Sequence, residues 1–265
     1  MATIDVIAAA VPPYYGTALR SGSSGPDVAQ LQTWLNGVRS RWPQLPLLTV
    51  DGKYGAATTR AVGELQTLTG LSVDGVAGNN TWNMAYSQYA ALHGAGEIYP
   101  GMVTRQGTRG AVVKSMQQKL NTVRQRYPGI QSLTNDGIFG SGSAAGLRQF
   151  QAQFGLSADG AMGQLSFARM RQVLDSLAAG QPVHVSPAYP GYVLQVGSSG
   201  DSVRFVQSYL SALGGTVPSV NIDGKYGTAT RNSVIAFQAQ HGLKADGKVG
   251  PATWNALLAA FNATL

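Results

Sequence analysis

Cysteine is absent from all 265 residues, which removes disulfides, thiolate metal sites and cysteine nucleophiles at once. Charge is scarce as well: Asp, Glu, Lys and Arg make up 12% of the chain, and only 12 residues are acidic. Six of these stand in Asp-Gly turns and two, Asp27 and Asp201, sit ahead of apolar helical patterns, so Asp5, Glu64, Glu97 and Asp175 remain. None of the four recurs at an equivalent place, so a catalytic carboxylate pair facing a sugar is not expected. The only histidines, His93, His184 and His241, occupy unrelated positions, so neither a metal nor a cofactor is expected. A Ser-His-Asp triad lacks a supporting Gly-x-Ser-x-Gly elbow, and one aspartate per turn falls short of a calcium loop. Long hydrophobic runs are missing too. The apolar stretch from Val6 to Val11 is far below the roughly 18 residues of a membrane span. No basic segment precedes it, so no standard secretory leader is expected.

Glycine, by contrast, is abundant, with 34 residues against the roughly 7% of average proteins. Much of it belongs to a repeat. The pattern Asp-Gly-x-x-Gly begins at Asp51, Asp74, Asp136, Asp159, Asp223 and Asp246, always 23 residues apart within a pair. The turns Gly22-Ser-Ser-Gly25, Gly107-Thr-Arg-Gly110 and Gly197-Ser-Ser-Gly200 keep the same register. These landmarks define repeats at 14–94, 99–180 and 189–265, after an N-terminal arm at 1–13. The second linker, Gln181 to Ala188, carries Pro182 and Pro187 and is expected to be extended and stiff.

Helical periodicity follows each glycine turn. Val28, Leu31, Leu35 and Val38 have counterparts in Val113, Met116, Leu120 and Val123, and in Val203, Val206, Leu210 and Leu213. Each set is one face of an amphipathic helix, with Asp27 and Asp201 placed to serve the orphan amides at its start. A second helix is expected from about Thr58, Ser143 and Thr230, burying Val62 and Leu65, Leu147 and Phe150, Val234 and Phe237. A third opens near Asn79, Gln164 and Pro251, with Trp82, Phe167 and Trp254 in equivalent places. The fold class expected is therefore all-α: three tandem small three-helix bundles joined by short linkers. Gln32, Gln117 and Gln207, with Gln66, Gln151 and Gln238, are placed to anchor backbone between helices.

Net charge is +7, and the excess lies mainly in the middle repeat. Arg124 and Arg126 there fall at a helix end before Pro128, where cations complement the dipole, so no nucleic-acid partner is expected. The aromatic residues of the first turns, Tyr54, Phe139 and Tyr226, could equally close the core or line a shallow groove.

The string Gly-Ser-Ser-Gly-x-Asp-Val-x-x-x-Gln, then Asp-Gly-Lys-Tyr-Gly-x-x-Thr, then Phe-Gln-x-x-x-Gly-Leu-x-x-Asp-Gly-x-Val-Gly-x-x-Thr-Trp resembles the three-helix peptidoglycan-binding domain family. Repeat 3 fits almost throughout, with Phe237-Gln238 and Val249-Gly250-Pro251-Ala252-Thr253-Trp254. Repeat 1 has Leu65 for phenylalanine, and repeat 2 departs most, with Ser143 for threonine and Phe167 for tryptophan. The resemblance implies a wall-glycopeptide groove near the first Asp-Gly turn, at Asp51, Lys53 and Tyr54 and at Asp223, Lys225 and Tyr226. In repeat 2 only Asp136 and Phe139 match, since Ile138 replaces the lysine. Domains of this kind usually accompany a hydrolase; with no catalytic domain expected beside the three units, the chain is expected to be a non-enzymatic protein of the bacterial wall or envelope whose three modules hold peptidoglycan, by glycan strand or stem peptide, through avidity. A second reading is a self-assembling homo-oligomeric subunit of an envelope, spore or phage-related structure.

Overall fold

The computed structural model describes residues 14, 16–94, 98–215 and 217–265. The N-terminal arm, Tyr15, Asp5 and Glu97 lie outside them. Among the described residues there are nine α-helices and no strand. Repeat 1 contains α1 (Pro26–Gly37), α2 (Ala56–Thr69) and α3 (Asn79–His93); repeat 2 contains α4 (Ala111–Arg126), α5 (Ser141–Gln153) and α6 (Gln164–Ala178). Repeat 3 contains α7 (Asp201–Leu213), α8 (Thr228–Gln240) and α9 (Pro251–Asn262). The all-α class and the tandem helical bundles thus follow the sequence pattern. The third helices start where expected, whereas the second helices start two residues early, at Ala56, Ser141 and Thr228. The reason lies in the side chains of Thr58, Ser143 and Thr230. Each hydroxyl turns inward to a conserved-in-register glutamine instead of capping its own helix, and Gly55 and Gly227 take the N-cap positions.

That glutamine organises every turn. In the first turn of repeat 1, Gln32 Oε1 accepts the Gly52 N–H at 2.9 Å. Its amide donates to Asp51 Oδ1, to the Lys53 carbonyl and to Thr58 Oγ1. Gly52 has φ 68°, a conformation that glycine adopts without a Cβ penalty. Asp51 completes the turn by accepting the Lys53 N–H at 2.9 Å. The same arrangement holds the second turn of repeat 1 through Gln66 and both turns of repeat 3 through Gln207 and Gln238. In repeat 2, Gln117 and Gln151 accept from Gly137 and Gly160 and donate to Asp136 and Asp159. Six copies of one motif, Asp-Gly-x-x-Gly-x-x-Thr/Ser with a buried glutamine across from it, therefore build the whole scaffold. Two isolated antiparallel bridges per repeat tie the turns to the chain entering the repeat: Leu19 to Ala77 and Ser24 to Lys53 in repeat 1, and Leu194 to Val249 and Ser199 to Lys225 in repeat 3.

These hydrogen bonds hold the carboxylates of Asp51, Asp74, Asp136, Asp223 and Asp246 below their ordinary pKa. At Asp51 the Gln32 amide is the main cause, and at Asp74, Asp136, Asp223 and Asp246 it is the backbone N–H two residues on. A carboxylate with a depressed folded pKa adds stability above its unfolded value and loses it as pH falls through the folded one. The thermal midpoint is accordingly expected to drop between about pH 5 and about pH 2.5, read by circular dichroism. A midpoint that holds or rises over that interval would mean that the turn hydrogen bonds do not depend on ionised aspartate.

The described chain forms two compact units. One comprises residues up to Lys119 with 133–144 and 161–168; the other comprises 120–132, 145–160 and 169–265. In the first unit the core of repeat 1 is centred on Trp34, whose ring meets Trp82 edge-on at 4.7 Å and Tyr86 at 5.3 Å. Ala111, the first residue of α4, is buried in the same cluster. Asp27 explains why. Its carboxylate accepts the N–H groups of Ala111 at 2.7 Å and Val112 at 2.9 Å, so it caps α4 and not its own helix, which has no side-chain cap. Gly110 precedes this cap with φ 133°, and a Cβ there would run into the Asp27 carboxylate.

In the second unit, the linker of residues 181–188 has neither helix nor strand and is laced along its length. Tyr127 Oη donates to the Val183 carbonyl at 2.8 Å, and Ser186 N donates to the Gln153 carbonyl. Val185 exchanges both of its backbone bonds with the Asn262 side chain, and Trp254 Nε1 donates to the Pro187 carbonyl. Burial pushes the Tyr127 hydroxyl up to about 12. Asp201 likewise departs from local capping: it accepts the Gln149 amide at 2.8 Å, while α7 has no side-chain cap. Arg204 adds bonds to the carbonyls of Gly129 and Ile222.

Candidate functional site

The residues expected at the first-turn groove divide into two kinds. Tyr54, Phe139 and Tyr226 are at most 2% exposed, so their rings close the core. The two tyrosine hydroxyls are also committed, because Tyr54 Oη donates to the Gly75 carbonyl at 2.8 Å and Tyr226 Oη to the Gly247 carbonyl at 3.0 Å. Each hydroxyl thereby links the first turn of its repeat to the second, and burial raises its pKa. Asp51, Asp136 and Asp223 are exposed, yet each carboxylate is occupied by its own turn amide and by the pinning glutamine. Lys53 and Lys225 are exposed, with backbone groups in the turn and ammonium groups outward. The first turn thus offers an exposed lysine beside a committed carboxylate in repeats 1 and 3.

A concave surface lies instead against the second turn of repeat 3. It is a cleft of about 260 Å³ between the start of α9, the Leu243 to Lys248 turn and the chain entering the repeat. Val193 and Leu243 contribute apolar lining, and Lys244 and Lys248 cationic lining. Asp246 sits between the lysines, accepting from Lys248 N at 2.9 Å and Gln238 Nε2 at 3.3 Å, with Lys244 Nζ 3.8 Å away. The turn that positions both lysines is the glutamine-pinned motif, since Gln238 also receives the Gly247 N–H and donates to the Lys248 carbonyl. Exposed Tyr192 and Val196 flank Val193 in the sequence. The sequence pattern did not single out these residues, because their shared surface comes from two segments about 50 residues apart. The one available signal was Lys244 and Lys248 two residues on either side of Asp246.

Among the described residues no group of three or more His, Asp or Glu side chains could hold a metal ion. His93 and His241 turn to the carbonyls of Gly37 and Phe237. No helix among these residues is long and apolar enough to cross a membrane.

Three segments of the chain, 24–84, 109–170 and 199–257, match the model of the peptidoglycan binding domain family. They cover more than half of the chain, which therefore belongs to that family. A protein named "Probable N-acetylmuramoyl-L-alanine amidase" from Bacillus licheniformis is 41% identical over 60% of this chain and 46% of its own length. The chain thus spans about half the length of that relative. A zinc D-Ala-D-Ala carboxypeptidase from Streptomyces albus G is 29% identical over 71% of this chain and 77% of its own length. Among solved structures, the SleB N-terminal domain is 31% identical, covering 29% of this chain and 99% of that one, with a TM-score of 0.26. The relatives correct one expectation. The sequence pointed to a protein apart from enzymes, whereas the proteins it matches are named as wall amidase and carboxypeptidase. The inference failed because the repeats carry structural aspartates and few histidines, and their composition speaks only for the repeats themselves.

Proposed function

We propose that the chain is the peptidoglycan-holding part of a wall-active system, and that it keeps amidase- or carboxypeptidase-type chemistry on its substrate. The observation that supports this reading is the triple match to the peptidoglycan binding domain family, with relatives named for wall hydrolysis. The site of action is then the bacterial cell wall or spore envelope. Three modules on one chain make weak sites additive in avidity, by about 10² to 10⁴ when geometry allows joint engagement. The exposed first-turn residues Lys53 and Lys225, beside Asp51 and Asp223, are available for contact, while Asp136 stands beside Ile138 in repeat 2.

Sedimentation of the full chain with intact sacculi stripped of wall polymers tests the reading. Saturable co-pelleting is expected, with no pelleting when sacculi are omitted. A chain that stays in the supernatant at every sacculus concentration, or that sediments equally by itself, would refute it. Soluble fragments in the supernatant report whether hydrolysis accompanies binding.

A further inference from the structure

We infer that the second-turn cleft of repeat 3 binds a carboxylate-bearing peptide, the stem peptide of peptidoglycan, with Lys244 and Lys248 as its cationic contacts. The inference rests on the reading that the chain binds peptidoglycan, and it assigns the contact to one repeat and one side of it. Four observations support it. The cleft is concave, at about 260 Å³, whereas the first-turn aromatic rings of the same repeat are buried. Two lysines face it in a chain with only 12% charged residues. Asp246 offsets one of those charges, its Oδ2 lying 3.8 Å from Lys244 Nζ while its Oδ1 accepts from Lys248 N and Gln238 Nε2, so the Lys248 ammonium is left for a ligand anion. Repeats 1 and 2 place Ser72 and Val76, and Ser157 and Ala161, at the positions of Lys244 and Lys248, so the charge is particular to repeat 3.

The chemistry of the walls selects among anions. Val193 and Leu243 line the same cleft as the lysines, which suits a small alkyl side chain next to a carboxylate, as in an alanine-rich peptide. A phosphate polymer would be better served by a row of cations along an open surface. Both lysines are exposed, and each serves the turn through its backbone, Lys244 O accepting from Asp246 N and Lys248 bonding Asp246 and Gln238, so their side chains can be exchanged without unpinning it.

The test uses the full chain and a double variant, K244S/K248V, carrying the repeat 1 residues. The probes are a soluble disaccharide-peptide from peptidoglycan, the same compound with its carboxylates amidated, and sacculi with and without wall polymers. The variant should keep the wild-type helical signal and thermal midpoint. Its affinity for the soluble compound should fall about tenfold or more, the scale of charge-assisted hydrogen bonds to a carboxylate, and amidation should weaken the wild type to match. In a ¹⁵N spectrum the compound should shift amides of residues 243–253 and not those of 71–81. If the wild type pellets with stripped sacculi and the variant does so equally, with the soluble compound bound as well by both, the cleft assignment fails while wall binding stands. If neither protein pellets with stripped sacculi, wall binding itself fails. Lysine-dependent binding that appears only with phosphate-bearing walls would overturn the peptide assignment.

Discussion

Replacing Gln66 with leucine is expected to lower the free energy of unfolding by about 4 kcal/mol, because several buried polar groups lose their partner together. Gln66 is buried, and its Oε1 accepts from Gly75 N at 2.9 Å and Asp74 N at 3.1 Å. Its amide donates to Asp74 Oδ1, the Val76 carbonyl and Thr81 Oγ1. Leucine nearly preserves the volume, so little of the loss comes from a cavity. What remains is the cost of unmet donors and acceptors inside the protein, about 1–3 kcal/mol for each one that water cannot reach. Gly75 and Thr81 are buried and cannot be rescued by solvent. Urea unfolding of the full chain measures the effect; a loss under about 1 kcal/mol would mean that the turns hold without their pins. Gln66→Glu separates hydrogen bonding from charge. It sets a second carboxylate against Asp74, so it should be strongly destabilised at neutral pH and recover partly as the new carboxyl protonates.

The second large effect is expected at Asp27, where alanine should cost about 2–3 kcal/mol, above an ordinary exposed cap. The location of the damage distinguishes this reading from a local one. Asp27 stands in the first turn of α1 but bonds the Ala111 and Val112 amides of α4. Hydrogen exchange at those two amides should therefore accelerate in Asp27→Ala, with the first turn of α1 less affected. The opposite pattern would return Asp27 to the role of a local cap. Burial raises the Asp27 pKa, against the lowering effect of the two amide bonds. A raised folded pKa makes its contribution largest below the unfolded value and smaller as pH rises through the folded one, opposite in sign to the turn aspartates. Loss of stability on acidification should thus be somewhat steeper in Asp27→Ala than in the native chain.

Much of the scaffold was legible because its signals are local. Positive φ at Gly52 is required within a single turn, and the apolar period of Val28, Leu31 and Leu35 acts over one helix face. The glutamines could be placed as anchors for the same reason, since Gln66 lies only 8 residues from Asp74. The start of the second helices was misplaced by two residues because a threonine hydroxyl can cap its own helix or face a neighbour, and the letter Thr58 is the same in both cases.

The sequence by itself determined the helices, the six turns and their threefold repetition, because each depends on residues close along the chain. Only the tertiary structure decided where Asp27 and Asp201 point, that Tyr54 and Tyr226 are spent on the core, that the 181–188 linker is a laced strap, and that Val193 shares a cleft with Lys244 and Lys248. A carboxylate finds the nearest unsatisfied amides whatever their distance in sequence, here 84 residues on. Such a choice is made by packing, which brings those amides within reach and excludes the water that would otherwise serve them.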